Sequence, residues 1–357
     1  METKNKKRFW IFIAVAYGVA YAMNLIMIIG FVKNYDLTAF VNTQMMYPAC
    51  GVILGKLIFR KEGEKLPMVG YITILATTAL MMLCALGSII LHIDPINIPG
   101  AGEIDIWSTV STLPLILGSL VAYVAFWVCG KEKRENAGLQ RKNILWSVIL
   151  IAVFIALFFG RSIFSAFLTD LFNHNNDGWT ELKKAILNKN MIIGIFVLPI
   201  NFFFSWAAFF GEEYGWRYYL QPVMQDKLGK RLGVILLGVI WGLWHIGVDY
   251  MFYTTKYGTQ ALITQIITCI VIAVFFGFAY MKTGNIWVPV IMHYLNNNIA
   301  GVLGGGSASL QNQVIPWSAI PVHAISSIVF LLFIFAPLYN KKKAEKVEKT
   351  EVQSEEN

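Results

Sequence analysis

The segment Gly211-Glu-Glu-Tyr-Gly-Trp-Arg217 places two adjacent carboxylates and a guanidinium directly after the apolar run Met191 to Phe210. An ionisable residue at membrane depth costs about 2.5 to 3.5 kcal/mol even on lenient insertion scales, so three of them close together need a reason, whether a function or the cytoplasmic end of this span. On a helix, Glu213 and Arg217 are four residues apart and share a face, so we expect them to pair. Glu212 points about 100° away and is left for another role.

The composition identifies a membrane protein. Of the 357 residues, 57% are hydrophobic and 14% are charged, whereas a soluble domain usually has about 25% charged residues. The net charge of +8 raises the question of a nucleic-acid partner. We expect no nucleic acid, because the basic residues lie in short loops between apolar runs, a pattern that orients proteins in the lipid bilayer.

Ten apolar runs are candidate membrane spans. They cover residues 9–31, 42–59, 68–91, 107–129, 144–166, 191–212, 232–250, 260–281, 286–304 and 317–339. With the N-terminus inside, most of the 29 Lys and Arg residues fall in segments that this count also places inside. The sequence therefore predicts an all-α, polytopic transmembrane helical bundle of about ten spans with both termini cytoplasmic. We expect it in the cell membrane, as a multi-pass protein of the bacterial plasma membrane.

The polar residues within the spans are concentrated in the second half of the chain. Residues 1–140 are plain apolar spans joined by charged loops, whereas the spans between about 190 and 300 contain Glu, His, Asn and Arg. We expect N-terminal spans at 1–140, a catalytic core at 141–310, a last span at 311–340 and a disordered charged tail at 341–357.

Two later segments carry groups that suit hydrolysis, Trp241-Gly-Leu-Trp-His245 and His293-Tyr-Leu-Asn-Asn297. A carboxylate and an imidazole that meet at one point hold and deprotonate water, and a second imidazole with an amide stabilises a developing oxyanion. Alternatively, Glu212, His245 and His293 form a three-ligand zinc site with one position open to water, although Asn is a weak zinc ligand. A structural alternative is that these polar groups only join helices by hydrogen bonds.

Position along the helices places this site in the inner half of the bilayer, open to the cytoplasm, with Glu212 near the inner end of the sixth run. Two GxxxG patterns flank it, Gly211 with Gly215 and Gly238 with Gly242. Because such pairs let helices approach closely, we expect the sixth and seventh runs to pack against each other beside the site.

Three motifs follow one another on successive predicted helices. They are Glu212-Glu213-x-x-x-Arg217, an aromatic residue-x-x-x-His245, and His293-x-x-x-Asn297. Together they resemble the motifs of the CPBP family, which groups type II CAAX prenyl endopeptidases with bacteriocin-processing and bacteriocin-immunity (Abi) proteins. The resemblance covers about residues 190–305.

The resemblance implies an intramembrane endopeptidase of helical fold that acts on a peptide or protein at the membrane. It implies that Glu212 with His245 activates water and that His293 with Asn297 lies on the oxyanion side, or that a zinc ion is shared among these groups. Glu213 and Arg217 would hold the motif in shape.

Two positions depart from the family pattern. Trp241 stands where Phe is usual, and Tyr218 stands where Gly often follows the arginine. Both substitutions put a large aromatic side chain beside the motifs and are expected to reshape the groove.

The main functional hypothesis is an endopeptidase that cuts near the cytoplasmic face, in bacteriocin or signal-peptide processing. An alternative is a non-proteolytic immunity or scaffold protein of the same fold, to which the N-terminal spans would contribute. A third is a proton-coupled transporter, since buried Glu and His residues also suit proton transfer.

Overall fold

The computed structural model describes residues 3–98, 102–304 and 310–340, which form a bundle of helices. The first half contains α1 (Thr3–Ile13), α2 (Ala20–Val32), α3 (Thr38–Gln44), α4 (Tyr47–Ile58), α5 (Met68–Ile90), α6 (Ile106–Val128), α7 (Lys131–Asn136), α8 (Ile144–Asn173) and α9 (Asp177–Leu187). The second half contains α10 (Lys189–Glu213), α11 (Gln221–Leu228), α12 (Lys230–Trp244), α13 (Ile246–Val248), α14 (Gly258–Thr283), α15 (Trp287–Leu303) and α16 (Ala319–Leu331).

Within the described residues, π-helical turns interrupt three of these helices, and two short strands form a hairpin. The π-helical turns are π1 (Ala14–Val19), π2 (Tyr214–Leu220) and π3 (Asp249–Tyr253). The strands β1 (Ile96–Ile98) and β2 (Gly102–Ile104) are antiparallel, with Asn97 opposite Glu103. The hairpin lies between the third and fourth predicted runs. The predicted disordered tail 341–357 lies outside the described residues.

The helices confirm an all-α, polytopic membrane protein. Over the described part of the chain, six helices are long and apolar enough to cross a membrane, and the pair α12 with α13–π3, bent by 42°, makes a seventh if it counts as one span. Shorter apolar helices at Tyr47–Ile58 and Ala319–Phe335 coincide with the second and tenth predicted runs.

The sixth predicted run is longer in the structure than in the sequence analysis. The helix continues from Met191 through π2 to Leu228, a length of 38 residues. Glu212 is therefore about 24 Å from the end of this helix, and not near its inner end as predicted. The hydropathy signal stops at Glu212 because polar residues follow in the sequence, although Glu213, Arg217 and Gln221 are buried against other helices.

Gly211 and Gly215, the first of the two GxxxG pairs, lie at a close contact between helices. A Cβ at Gly211 would collide with the backbone of Met45, and one at Gly215 would collide with Pro48. The helix that carries the Glu-Glu pair therefore packs directly on the junction of α3 and α4.

Gly238 and Gly242 pack against a different helix. A Cβ at either position would collide with the backbone of α14, at Ile270 and Ile266 respectively. The prediction that the two GxxxG pairs join the sixth and seventh runs to each other is therefore wrong. Such a pair only shows that some backbone comes close, and each pair here has its own partner.

The N-terminal helices are joined to the C-terminal half by buried hydrogen bonds. The Tyr214 hydroxyl donates to the Ala137 carbonyl at 2.8 Å and lies 2.6 Å from the Tyr71 hydroxyl. Trp244 Nε1 donates to the Ala16 carbonyl at 2.7 Å. The predicted boundary near residue 140 is thus crossed by polar contacts that help to fix the helices of the candidate site.

Tyr218, one of the two departures from the family pattern, fills a specific space. Its ring stacks on Tyr214 with centroids 4.6 Å apart, and its edge lies where a Cβ of residue 138 would be. Gly138 has φ +69°, so this position requires glycine for its backbone as well as for the tyrosine ring.

A cluster of charges joins α1, α4 and the loop before α5. Glu64 pairs with Arg8 at 2.6 Å and with Lys56 at 3.1 Å, and these side chains are only 8 to 12% exposed. Lys56 also donates to the Asn136 carbonyl at 2.8 Å. Burial alone would raise the pKa of Glu64, but the two cations outweigh it and lower the pKa to about 2.

We predict that Glu64→Gln lowers the free energy of unfolding by about 1 to 3 kcal/mol, because it leaves two largely buried cations without a counter-ion. Glu132→Gln is the matched control, since Glu132 pairs with Lys65 where both side chains are more than half exposed. Its loss should stay below about 1 kcal/mol. Unfolding in detergent, followed by circular dichroism, measures both.

The same cluster predicts the pH dependence of stability. Because the pKa of Glu64 falls from 4.5 to about 2 on folding, its contribution is present above about pH 4.5 and is lost as the pH falls towards 2. The stability difference between the wild type and Glu64→Gln should therefore shrink over this interval. A difference that is constant between pH 7 and pH 3 would contradict the assignment.

Candidate active site

Four of the predicted site residues line one cavity of about 220 Å³. Glu212 comes from α10, His245 from the junction of α12 and α13, and His293 and Asn297 from α15. Glu212, His245 and His293 are 2%, 8% and 6% exposed. The cavity brings together the side chains that the sequence placed on three successive helices.

Glu213 and Arg217 lie behind the cavity wall and form the ion pair that their spacing predicts. Arg217 Nε is 2.8 Å from Glu213 Oε2, and both side chains are fully buried. The other carboxylate oxygen, Oε1, is 2.9 Å from Nδ1 of His293. Since a carboxylate only accepts, Nδ1 carries a proton. Glu213 on α10 thereby fixes the position of the His293 imidazole on α15.

Arg217 is also packed between aromatic rings. Its guanidinium carbon lies 4.5 Å from the ring centroid of Trp241 and 5.6 Å from that of Phe276. A cation over an aromatic face is stabilised by the ring quadrupole, most strongly where water is excluded. This contact links the first motif to α12 and α14.

Glu212 is held by two indole groups. Its Oε2 atom accepts from Trp241 Nε1 at 2.7 Å and from Trp216 Nε1 at 3.3 Å. Trp216 lies in π2, four residues after Glu212, and Trp241 comes from α12. Phe, the usual residue of the family at position 241, has no such donor, so this departure gives the carboxylate an additional hydrogen bond.

His245 lies at a break between helices, and the break fixes its tautomer. Its backbone N–H bonds to the Gly242 carbonyl at 3.0 Å, so α12 ends in a tighter turn. Nδ1 of the His245 side chain is 2.9 Å from the Trp241 carbonyl. Because a carbonyl can only accept, Nδ1 carries the hydrogen and Nε2 keeps its lone pair.

The break also frees a carbonyl for the N-terminal half. Gln44 of α3 donates from Nε2 to the Trp244 carbonyl at 3.0 Å, and Gln44 itself lines the cavity. Backbone groups at membrane depth need such partners, because lipid offers none.

Asn297 lies one turn beyond His293 on α15 and is partly buried. Its Oδ1 atom accepts from Asn296 Nδ2 at 3.0 Å, which leaves the nitrogen end of the Asn297 amide as the donor end. A donor at this edge of the cavity suits stabilisation of negative charge.

The predicted zinc site is not formed by this arrangement. Among residues 3–98, 102–304 and 310–340, no group of three or more His, Cys, Asp or Glu side chains is arranged to hold a metal ion. Oε2 of Glu212 already accepts from two indoles, and His293 is oriented by Glu213. The side chains of Glu212, His245 and His293 share a cavity, but they do not count as a metal-holding group within the described part of the chain, and we derive no step through a metal.

Sequence reasoning missed several residues of the cavity. Asp249 lies four residues after His245 and is completely buried, while Thr264 belongs to α14 and Gln44 to the N-terminal half. The spacing of Asp249 from His245 was the available signal, because it puts both residues on one face. Gln44 and Thr264 carry no signal in the sequence, since their role depends on which helices become neighbours.

A family model matches the segment that contains all of these motifs. Residues 195–299 match the Rce1-like model, described as type II CAAX prenyl endopeptidase Rce1-like. The fold and the match together define a multi-pass membrane protein of the CAAX-protease-like class. This match supports membership of the CPBP family, which the three motifs predicted. No curated protein and no solved structure matches the chain.

We predict that Trp241→Phe lowers the free energy of unfolding by about 1.5 to 3 kcal/mol, because it removes a donor from the buried Glu212 carboxylate. Trp206→Phe is the matched control, since Trp206 is equally buried and donates to the neutral carbonyl of Ser119 at 3.1 Å. Its loss should be about 0.5 to 1.5 kcal/mol. Equal losses in urea unfolding of the detergent-solubilised protein would contradict a charge-assisted bond to Glu212.

Proposed function

We propose that the protein is an intramembrane endopeptidase that hydrolyses a peptide bond with a water molecule held between Glu212 and His245. The observation that carries this proposal is the single cavity that Glu212, His245, His293 and Asn297 line together. The family match supports a protease-like protein in general terms, while the roles of individual residues are our proposal.

The water-activating pair follows from the hydrogen bonds already made. Trp241 and Trp216 occupy Oε2 of Glu212, so Oε1 is the oxygen that accepts from water. The His245 tautomer leaves a basic Nε2 on the other side. The water attacks the carbonyl carbon, its proton passes to Glu212 or His245, and the same proton reaches the leaving amine as the C–N bond breaks.

The oxyanion side is supplied by α15. Glu213 fixes the ring of His293 through Nδ1, and in the imidazolium form, for which Glu213 is the counter-ion, Nε2 also carries a proton and donates to the oxyanion. The amide nitrogen of Asn297 provides a second donor one turn away. Donors that are fixed before the reaction stabilise developing negative charge without reorganisation during the reaction.

The substrate is proposed to be a peptide or protein segment at the membrane. The wall of the cavity includes apolar side chains such as Ile272 and Val248 beside the polar ones, which suits an extended apolar peptide. The family name refers to prenylated CAAX ends, so a farnesylated peptide is the first probe. We also propose bacteriocin or signal peptides in a bacterial plasma membrane as substrates.

We predict that Glu212→Ala and His245→Ala each reduce cleavage by about 10³-fold, because each removes one partner of the water. The assay uses the full chain in liposomes with two substrates, an internally quenched farnesylated CAAX peptide and a membrane-protein fraction analysed by mass spectrometry of new N-termini. Glu181→Ala, an exposed glutamate on α9, is the control and should cleave as the wild type does.

Two results would overturn the proposal, namely cleavage that persists in Glu212→Ala, or no cleavage of either substrate by the wild type. In the second case the alternative is an immunity or scaffold protein that uses the same cavity to bind a peptide. It is favoured by the way α3 and α4 of the N-terminal half pack on the Glu-Glu helix and contribute Gln44 to the cavity.

We propose further that the chain crosses the membrane ten times with both termini in the cytoplasm. The basic loops support it, and so do the helices at all ten predicted runs. On this topology the loop at Leu310 and Gln313, which borders the cavity, lies outside. The cavity would then open away from the cytoplasm, in contrast to the inner-half site that the sequence predicted.

We predict that a membrane-impermeant maleimide labels Asn97→Cys and Asn312→Cys in intact cells, and labels Glu135→Cys and Asn340→Cys only after permeabilisation. All four positions are exposed. The partly exposed Cys84 and Cys129 are first replaced by Ser. Labelling of Asn312→Cys and Asn340→Cys from the same side would show that α16 does not cross the membrane.

A further inference from the structure

Asp249 is a buried carboxylate that the proposed mechanism does not use. It is 0% exposed and lines the same cavity as Glu212 and His245. Neither of its carboxylate oxygens has a hydrogen-bond partner among the described residues. A buried carboxylate with no partner is unfavourable, so its presence in this cavity requires an explanation.

Each of the other two carboxylates of the region has a polar or charged partner. Glu213 faces Arg217 and His293, and Glu212 accepts from two indoles. Among the described residues that line the cavity, none is a lysine or an arginine. The cavity therefore contains an acidic group without a lysine or arginine counter-ion in the described wall, and its two histidines bond to the Trp241 carbonyl and to Glu213.

A second orphan group lies in the same cavity. The Thr264 hydroxyl of α14 is buried and has no hydrogen-bond partner within the described part of the chain. Thr264 and its neighbour Gln265 line the cavity together with Asp249. A carboxylate, a hydroxyl and an amide oxygen are all acceptors, a set that suits a group with several N–H donors.

We infer that Asp249 and Thr264 form a subsite for a positively charged nitrogen of the peptide substrate. That nitrogen belongs to a lysine or arginine side chain, or to a free N-terminal amine. This inference rests on the proposed function and adds specificity to it. Charged donors bind a desolvated carboxylate strongly, and a neutral side chain in their place would leave it unpaired.

The position of the subsite limits where the charge lies in the peptide. Asp249 follows His245 by four residues, so the two are separated by about 6 Å along the helix. An extended peptide advances roughly 3.3 to 3.6 Å per residue. The charged residue is therefore expected within two positions of the bond that is cut.

Peptide binding to the full chain in liposomes tests the subsite directly. The chain carries Glu212→Ala, which keeps the peptides intact. The probes are leucine-rich hexapeptide amides with an acetylated N-terminus and a central lysine, acetyl-lysine or glutamine, together with the glutamine peptide bearing a free N-terminus. Binding to protein-free liposomes is subtracted. We expect the lysine peptide to bind about tenfold more tightly than either neutral one.

Variants then assign the preference to its residues. Asp249→Asn should reduce the preference to less than about twofold, and Asp226→Asn, an exposed aspartate on α11, should leave it unchanged. Thr264→Val removes the hydroxyl at nearly constant shape and should weaken the preference severalfold, which also provides a test if Asp249→Asn does not fold. Equal binding of charged and neutral peptides, or a preference that survives Asp249→Asn, overturns the inference.

The free N-terminus peptide distinguishes the two sources of charge. If it binds as tightly as the lysine peptide, the subsite takes any peptide ammonium group, and if it binds as the neutral peptides do, the subsite selects a side chain. Cleavage by the chain with Glu212 intact separates this inference from the proposed function. A lysine preference without cleavage supports the subsite and refutes the peptidase. Cleavage without a lysine preference supports the peptidase and refutes the subsite.

Discussion

The buried carboxylate of Glu213 is the group on which the arrangement of the site depends. It lies between the Arg217 guanidinium of its own helix and the His293 imidazole of α15. Breaking a buried pair costs about 3 to 5 kcal/mol, because the remaining charge has neither water nor a counter-ion. The contact therefore holds α10 and α15 in one relative position, and the aromatic ring of Trp241 under the guanidinium adds α12.

Irregular backbone is concentrated around this group. The turn π2 begins immediately after Glu213, α12 ends at His245, and π3 begins at Asp249. π-Helical turns often occur at functional sites, and irregular backbone at membrane depth is tolerated where other parts of the protein supply its hydrogen bonds. Here the released carbonyls accept from the His245 ring and from Gln44. The N-terminal half thus contributes to the site through α3, although the family match begins only at residue 195.

Three carboxylates within one region have three different environments. Glu213 is ion-paired with Arg217 and bonded to His293, Glu212 accepts from uncharged indole donors, and Asp249 has no hydrogen-bond partner among the described residues. The paired group suits a structural role. The indole-bonded group stays available to a small polar molecule, and the unpartnered group is suited to a ligand that brings its own positive charge.

The sequence by itself determined the general class of protein and most of the residues that line the candidate site. Apolar length fixes the helices because lipid leaves backbone groups no other partner, and the spacing of Glu213 and Arg217 fixes their pairing because a helix has a known period. Tertiary structure decided what each helix touches. It showed that Gly211 packs on Met45, that the helix of Glu212 continues to Leu228, and that Asp249 and Thr264 share the cavity. Such contacts join residues far apart in the chain, and no local pattern encodes which helices become neighbours.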